Sequence, residues 1–77
     1  MNKSRRKELR EINERLGTIK DELETVRDDE QDAYDNLPES IQASDRGDQM
    51  TDNVDVLQDA IDAIDDAIDK IEDVVAD

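Results

Sequence analysis

Cysteine, histidine, phenylalanine and tryptophan are all absent from this 77-residue sequence, and proline and tyrosine occur once each. No disulfide can staple the chain, and neither thiol nor imidazole is available as a nucleophile, a general base or a zinc ligand. Two glycines, Gly17 and Gly47, are too few to build a phosphate-cradling loop. The reading that follows is a non-enzymatic protein with no catalytic residue, no cofactor and no metal. Long apolar runs are missing too. Nothing approaches the ~20 apolar residues of a membrane span, and Met1-Asn2-Lys3-Ser4-Arg5-Arg6-Lys7 leads into charged sequence, not into the apolar core of a signal peptide. These features predict a cytoplasmic protein that does not enter a membrane.

What the sequence has in abundance is negative charge. Ten basic residues stand against 24 acidic ones, a net of −14, which argues against direct binding to a nucleic-acid backbone or an anionic membrane. The charge is unevenly placed. Met1 to Lys20 carry seven Lys or Arg against three Glu, whereas Asp21 to Asp77 carry three against 21 acids. A chain this short buries only about 60% of the surface it exposes when unfolded. Its five Leu, seven Ile and five Val stand close to the roughly 20% below which highly charged sequences stay disordered. Folding then depends on how those residues are arranged.

They are arranged in two stripes. Leu9, Ile12, Leu16, Ile19, Leu23, Val26, Glu30, Ala33 and Leu37 alternate spacings of three and four, the a/d pattern of a coiled-coil seam, interrupted only by Glu30, which is expected to snorkel to the edge. Met50, Val54, Leu57, Ile61, Ile64, Ile68, Ile71 and Val75 form a second, unbroken stripe. Between them Pro38 removes a backbone donor and turns Leu37 away from helical angles. Ser44, followed by Asp45 and Asp48, reads as an N-cap.

These signals predict one all-α domain: helix 3–36, turn 37–43 with a short helical turn from Pro38 to Ala43, and helix 44–76. The two long helices are expected to form an antiparallel coiled-coil hairpin. Leu37 would face Met50, Val26 would face Ile61, Ile12 would face Val75, and the basic N-terminal stretch would lie beside the acidic Asp69 to Asp77. Ala60, Ala67 and Val74 widen the second stripe to three positions per heptad, more than one facing helix covers. They are the candidate oligomer interface, and the expected assembly is a homodimer forming a four-helix bundle.

The candidate binding face is acidic. Asp55, Asp59, Asp62, Asp65, Asp66, Asp69, Glu72 and Asp73 make a strip on the second helix interrupted only by Lys70. Carboxylates one helical turn apart lie about 5 to 6 Å from each other, comparable to the phosphate repeat of a nucleic-acid strand. Such a strip suits a basic protein partner, and an alternative is mimicry of nucleic acid that blocks a host DNA- or RNA-binding defence protein. A small structural or assembly factor using the apolar stripe is a third reading. Asp45 to Asp52 lacks the oxygen spacing of a calcium loop and carries Arg46 where a ligand would sit. Arg46-Gly47-Asp48 is read as a chance tripeptide in a helical first turn, and Tyr34 as a cap on the core. A two-helix rod is not expected to form a small-molecule pocket.

The order Arg5-Arg6-Lys7-Glu8-Leu9, then Asp35-Asn36-Leu37-Pro38-Glu39-Ser40, then Ser44-Asp45-Arg46-Gly47, followed by acidic-Ala-Ile repeats, resembles a group of short acidic proteins of bacteria, prophages and phages. The resemblance implies no catalytic residues. It implies a bacterial or phage-infected host cell, and a mobile-element setting in which an inhibitor that sequesters a host protein is at home.

Overall fold

In the computed structural model, which describes residues 1–76, the chain is all-helical: α1 spans Lys3–Asp35, α2 spans Glu39–Gln42 and α3 spans Asp45–Ala76. The first boundary is chemical. Asn2 is the N-cap of α1, and its side-chain oxygen accepts from the Arg5 backbone N–H at 2.8 Å, satisfying one of the donors a helix start leaves free. Asn36 closes α1, its N–H donating to the Asp32 carbonyl at 3.1 Å while the Leu37 N–H donates to the Tyr34 carbonyl at 3.0 Å. Pro38 is the N-cap of α2, one residue earlier than a first-turn proline, with φ −56° and ψ 147°. The Ser44 carbonyl accepts from Asp48 N–H at 3.0 Å and so opens α3. Its hydroxyl donates backwards to the Ile41 carbonyl.

Each long helix runs about 48 to 50 Å at 1.5 Å per residue. The Cα trace measures 58 × 15 × 12 Å, so α1 and α3 lie alongside each other in one elongated rod. Cross-helix hydrogen bonds fix their sense. Asn13 reaches Ile68, Arg27 reaches Gln58, and Asn53 reaches Glu30, so numbers rise along α1 as they fall along α3.

The stripe of α3 is placed as expected, with Ile61 only 2% exposed and Val54, Leu57, Ile64, Ile68 and Ile71 half-buried. The stripe of α1 is not. Leu9, Leu16 and Leu23 are half-buried, but Ile12, Ile19 and Val26 are 36%, 44% and 53% exposed, and Ala33 is exposed as well. Val26 and Ile12, expected to face Ile61 and Val75, thus sit at the margin of the seam. The positions turned towards α3 in their place are Arg6, Asn13, Lys20, Arg27 and Tyr34, all half-buried. The physical reason is that α1 offers two seams sharing Leu9, Leu16 and Leu23. The polar one hydrogen-bonds across to α3 while its side-chain stems cover aliphatic surface. Heptad spacing marks which positions are apolar, not which neighbour covers them. Glu30 leaves the seam for its edge, accepting from Asn53 Nδ2 at 3.0 Å.

At the turn, α2 is held on both sides. Gln42 Nε2 donates to the Tyr34 carbonyl at 2.9 Å, an acceptor it shares with the Leu37 N–H at 3.0 Å. Gly47 is buried under the Gln42 backbone, and a Cβ there would fall 1.9 Å from the Gln42 carbonyl oxygen. That contact accounts for the glycine of the Arg46-Gly47-Asp48 tripeptide. Half-buried Ile41 and Tyr34 complete this end of the rod.

Candidate interaction surfaces

The contacts between α1 and α3 divide the rod lengthwise. Lys20 Nζ meets Asp65 Oδ1 at 2.7 Å, and Arg27 donates to Gln58 Oε1 at 2.6 Å. On α1, Lys20 and Arg27 lie on one flank of the Leu9-Leu16-Leu23 line, while Ile12, Ile19 and Val26 lie on the other. On α3, Asp65 and Gln58 lie on one flank of the Val54-Ile61-Ile68 line, while Leu57 and Ile64, then Ala60, Ala67 and Val74, lie on the other. Because the cations of α1 reach the first flank of α3, the exposed aliphatics of α1 share a side with the alanines.

All eight expected acidic residues, Asp55, Asp59, Asp62, Asp65, Asp66, Asp69, Glu72 and Asp73, are exposed, and their phase in the helix places them on the polar side and the outer surface. Three of them have partners. Asp65 takes Lys20, Asp66 takes Lys70 at 2.9 Å, and Asp62 accepts from Gln58 Nε2 at 2.9 Å. The pKa of Lys20 is raised chiefly by its hydrogen bond to Asp65; burial opposes the rise, and the charges of Asp65, Glu24 and Asp21 add to it. Lys70 is raised in the same sense by Asp66.

Charge is distributed with a boundary. Along α3 no carboxylate falls on the arc from Met50, Leu57, Ile64 and Ile71, through Asn53, Ala60, Ala67 and Val74, to Gln49, Val56, Ala63 and Lys70. Of the three expected interface residues, Ala60 is exposed, Ala67 is half-buried and Val74 is 41% exposed. They continue into Val56, which is 65% exposed. The α1 half of this surface is not distinguished in the sequence, because the spacing of Ile12, Ile19 and Val26 is equally that of an internal seam. The surplus of three apolar positions per heptad on α3 was the signal that a second neighbour was wanted, and the same question was open for α1.

One expectation is refined and one is corrected. The basic N-terminal stretch lies beside the acidic end of α3, Arg10 sharing a groove with Glu72, but among the described residues the ion pairs are elsewhere: Lys20 with Glu24 and Asp65, Arg27 with Asp28, and Lys70 with Asp66. Asp77 lies outside the described residues. A groove does form on the rod, about 480 Å³ in volume and open to solvent, lined by Arg10, Asn13, Glu14, Gly17, Ile68, Glu72 and Val75. Its cause is Gly17, whose missing side chain leaves nothing within 4 Å of a Cβ position. Asn13 Nδ2 donates to the Ile68 carbonyl there at 3.2 Å. No group of three or more acidic residues among the described residues is placed to hold a metal ion, and no helix is long and apolar enough to cross a membrane.

Comparison with protein-family models, with curated proteins and with solved structures finds no match.

Proposed function

We propose that this chain is a non-enzymatic, acidic, antiparallel coiled-coil hairpin, encoded by a bacterium, prophage or phage, that pairs into a homodimeric four-helix bundle and acts by binding another protein. The working surface is the acidic face of α3, and its partner is basic. One observation carries this reading: the carboxylates of α3 are exposed and confined to one part of the helix surface, while the remaining arc is acid-free. Solubility alone would be served by carboxylates spread over every exposed position. Segregation leaves a continuous negative field on one surface, which steers a cationic partner and orients it.

Mimicry of nucleic acid is the more specific form of this reading. It is favoured by the length of the strip, which follows a helix about 48 Å long and is neutralised by Lys side chains only at Asp65 and Asp66. The test is affinity capture from bacterial or phage-infected cells, with the chain carrying Asp62→Lys, Asp66→Lys, Asp69→Lys and Asp73→Lys as comparison. Binding through this face predicts loss of the captured protein with the charge-reversed chain and a steep fall in affinity with added salt. Retention of the same protein by both chains would move the binding surface elsewhere.

A further inference from the structure

We propose that the aliphatic side of the rod, acid-free along α3, is covered by a second copy of this chain, with Ile12, Ile19 and Val26 of each copy seated against Ala60, Ala67 and Val74 of the other. The inference deepens the pairing stated above and rests on it. It changes where the interface lies, since half of it belongs to α1.

The need for a cover comes from burial. Ile61 is the one buried hydrophobic side chain among the described residues, far short of the core that lets a chain of this size stand alone. Ile12, Ile19 and Val26 recur at every seventh residue and are all exposed, so they form a continuous row along α1. Scattered surface aliphatics are ordinary, but a row extending along a rod is not. The two rows, Ile12 to Val26 and Ala60 to Val74, each run about 21 Å at 1.5 Å per residue, so they match in length within the 58 Å rod.

A second copy suits this surface better than a different partner for two reasons. The first is charge. Each copy carries a net of −14, and two such molecules can approach closely only where carboxylates are few. On α3 that surface has none, and Lys70 and Arg46 lie on it. The second is shape. The face is bulky along α1 and small along α3, where alanine recurs. A two-fold axis parallel to the rod lays α1 of one copy over α3 of the other, so that the large row meets the small row twice, as an isologous interface requires. Heights along the rod are preserved by that axis. Asn13 lies level with Ile68 and Arg27 level with Gln58, which brings Ile12 between Ala67 and Val74 of the other copy, and Ile19 between Ala60 and Ala67. Each helix is then antiparallel to both of its neighbours. The outer carboxylates of both copies remain in solvent, available to the partner proposed above.

Sedimentation equilibrium of the purified chain at tens of micromolar tests this directly. The expected mass is twice 8.8 kDa. A variant carrying Ile12→Gln, Ile19→Gln and Val26→Gln is expected to sediment at 8.8 kDa, as is a second variant carrying Ala60→Glu and Ala67→Glu, which retains the α1 row. Asp62→Asn with Asp69→Asn, on the acidic side, leaves the dimer intact. Should a variant lose helicity, the wild-type chain still decides the matter, because a dimer melts at higher temperature as concentration rises. A single-copy mass with a concentration-independent melt overturns both the pairing and this interface. A dimer that survives both variants overturns this interface and leaves the pairing in place. Neither result bears on whether the acidic face binds a basic protein.

Discussion

The two long sides of the rod are built from the same helices, but the residues at their edges differ. On one side Asn13, Lys20 and Arg27 bridge to α3 through the Ile68 carbonyl, Asp65 and Gln58. On the other, Ile12, Ile19 and Val26 are 36%, 44% and 53% exposed, and the hydrogen bond to α3 is that of Asn53 with Glu30 near the turn. On the first side Asn13, Lys20 and Arg27 each find a partner on α3 while their stems cover aliphatic surface. The second side holds much of the exposed apolar surface of α1, and water is a poor neighbour for it. The chain therefore spends polar residues on its internal seam and keeps aliphatic ones for a contact it cannot supply itself.

The largest effect is expected at the position both sides share. Ile61 is 2% exposed, and Ile61→Ala should cost about 2 to 4 kcal/mol through lost burial and a residual cavity, lowering the thermal midpoint by circular dichroism. At the turn, Gly47→Ala forces a Cβ to 1.9 Å from the Gln42 carbonyl and should cost about 2 to 3 kcal/mol as α2 is displaced. Gly17 behaves oppositely. With nothing within 4 Å of its Cβ position, Gly17→Ala should raise stability by about 0.5 to 1 kcal/mol while partly filling the groove. A thermal melt that falls with this variant would contradict the open space assigned to it.

A smaller effect probes the bridged side by pH. The Lys20 pKa is raised above its ordinary 10.5 by Asp65, so the folded state holds that proton more tightly than the unfolded chain does. Its stabilising contribution is present in full below 10.5 and is lost as pH climbs through the raised folded value. Melting temperature should therefore decline at strongly alkaline pH, and Lys20→Met should flatten that part of the profile. Salt acts on the acidic face with the opposite sign: screening the net of −14 should raise the melting temperature of the wild-type chain.

Much of this architecture is legible in the sequence, for identifiable reasons. Helix was readable from the 3–4 spacing, the break from Pro38, and the exposed acidic strip from eight carboxylates sharing one part of α3. Two things were not. The cap at Asn2 needs only an acceptor within reach of the Arg5 N–H, a signal present in the sequence but overshadowed by the basic cluster behind it. The orientation of α1 was harder, because Leu9, Leu16 and Leu23 belong to both of its seams. Only the partners of Lys20 and Arg27 decide between them, and those partners are some thirty to forty-five residues distant in sequence. An apolar pattern does not say which neighbour covers it, so the α1 half of the exposed surface has no separate mark in the sequence. The close approach at Gly47 likewise depends on where α2 lands, which no local pattern encodes.

The absence of native cysteine makes the central contrast directly measurable by thiol labelling of two single-cysteine variants, Ile19→Cys on the acid-free side and Asp62→Cys on the acidic face. With a second copy covering the first side, Cys at position 19 should react slowly at high protein concentration and speed up on dilution, while Cys at position 62 reacts rapidly throughout. Equal, concentration-independent rates at the two positions would contradict the account.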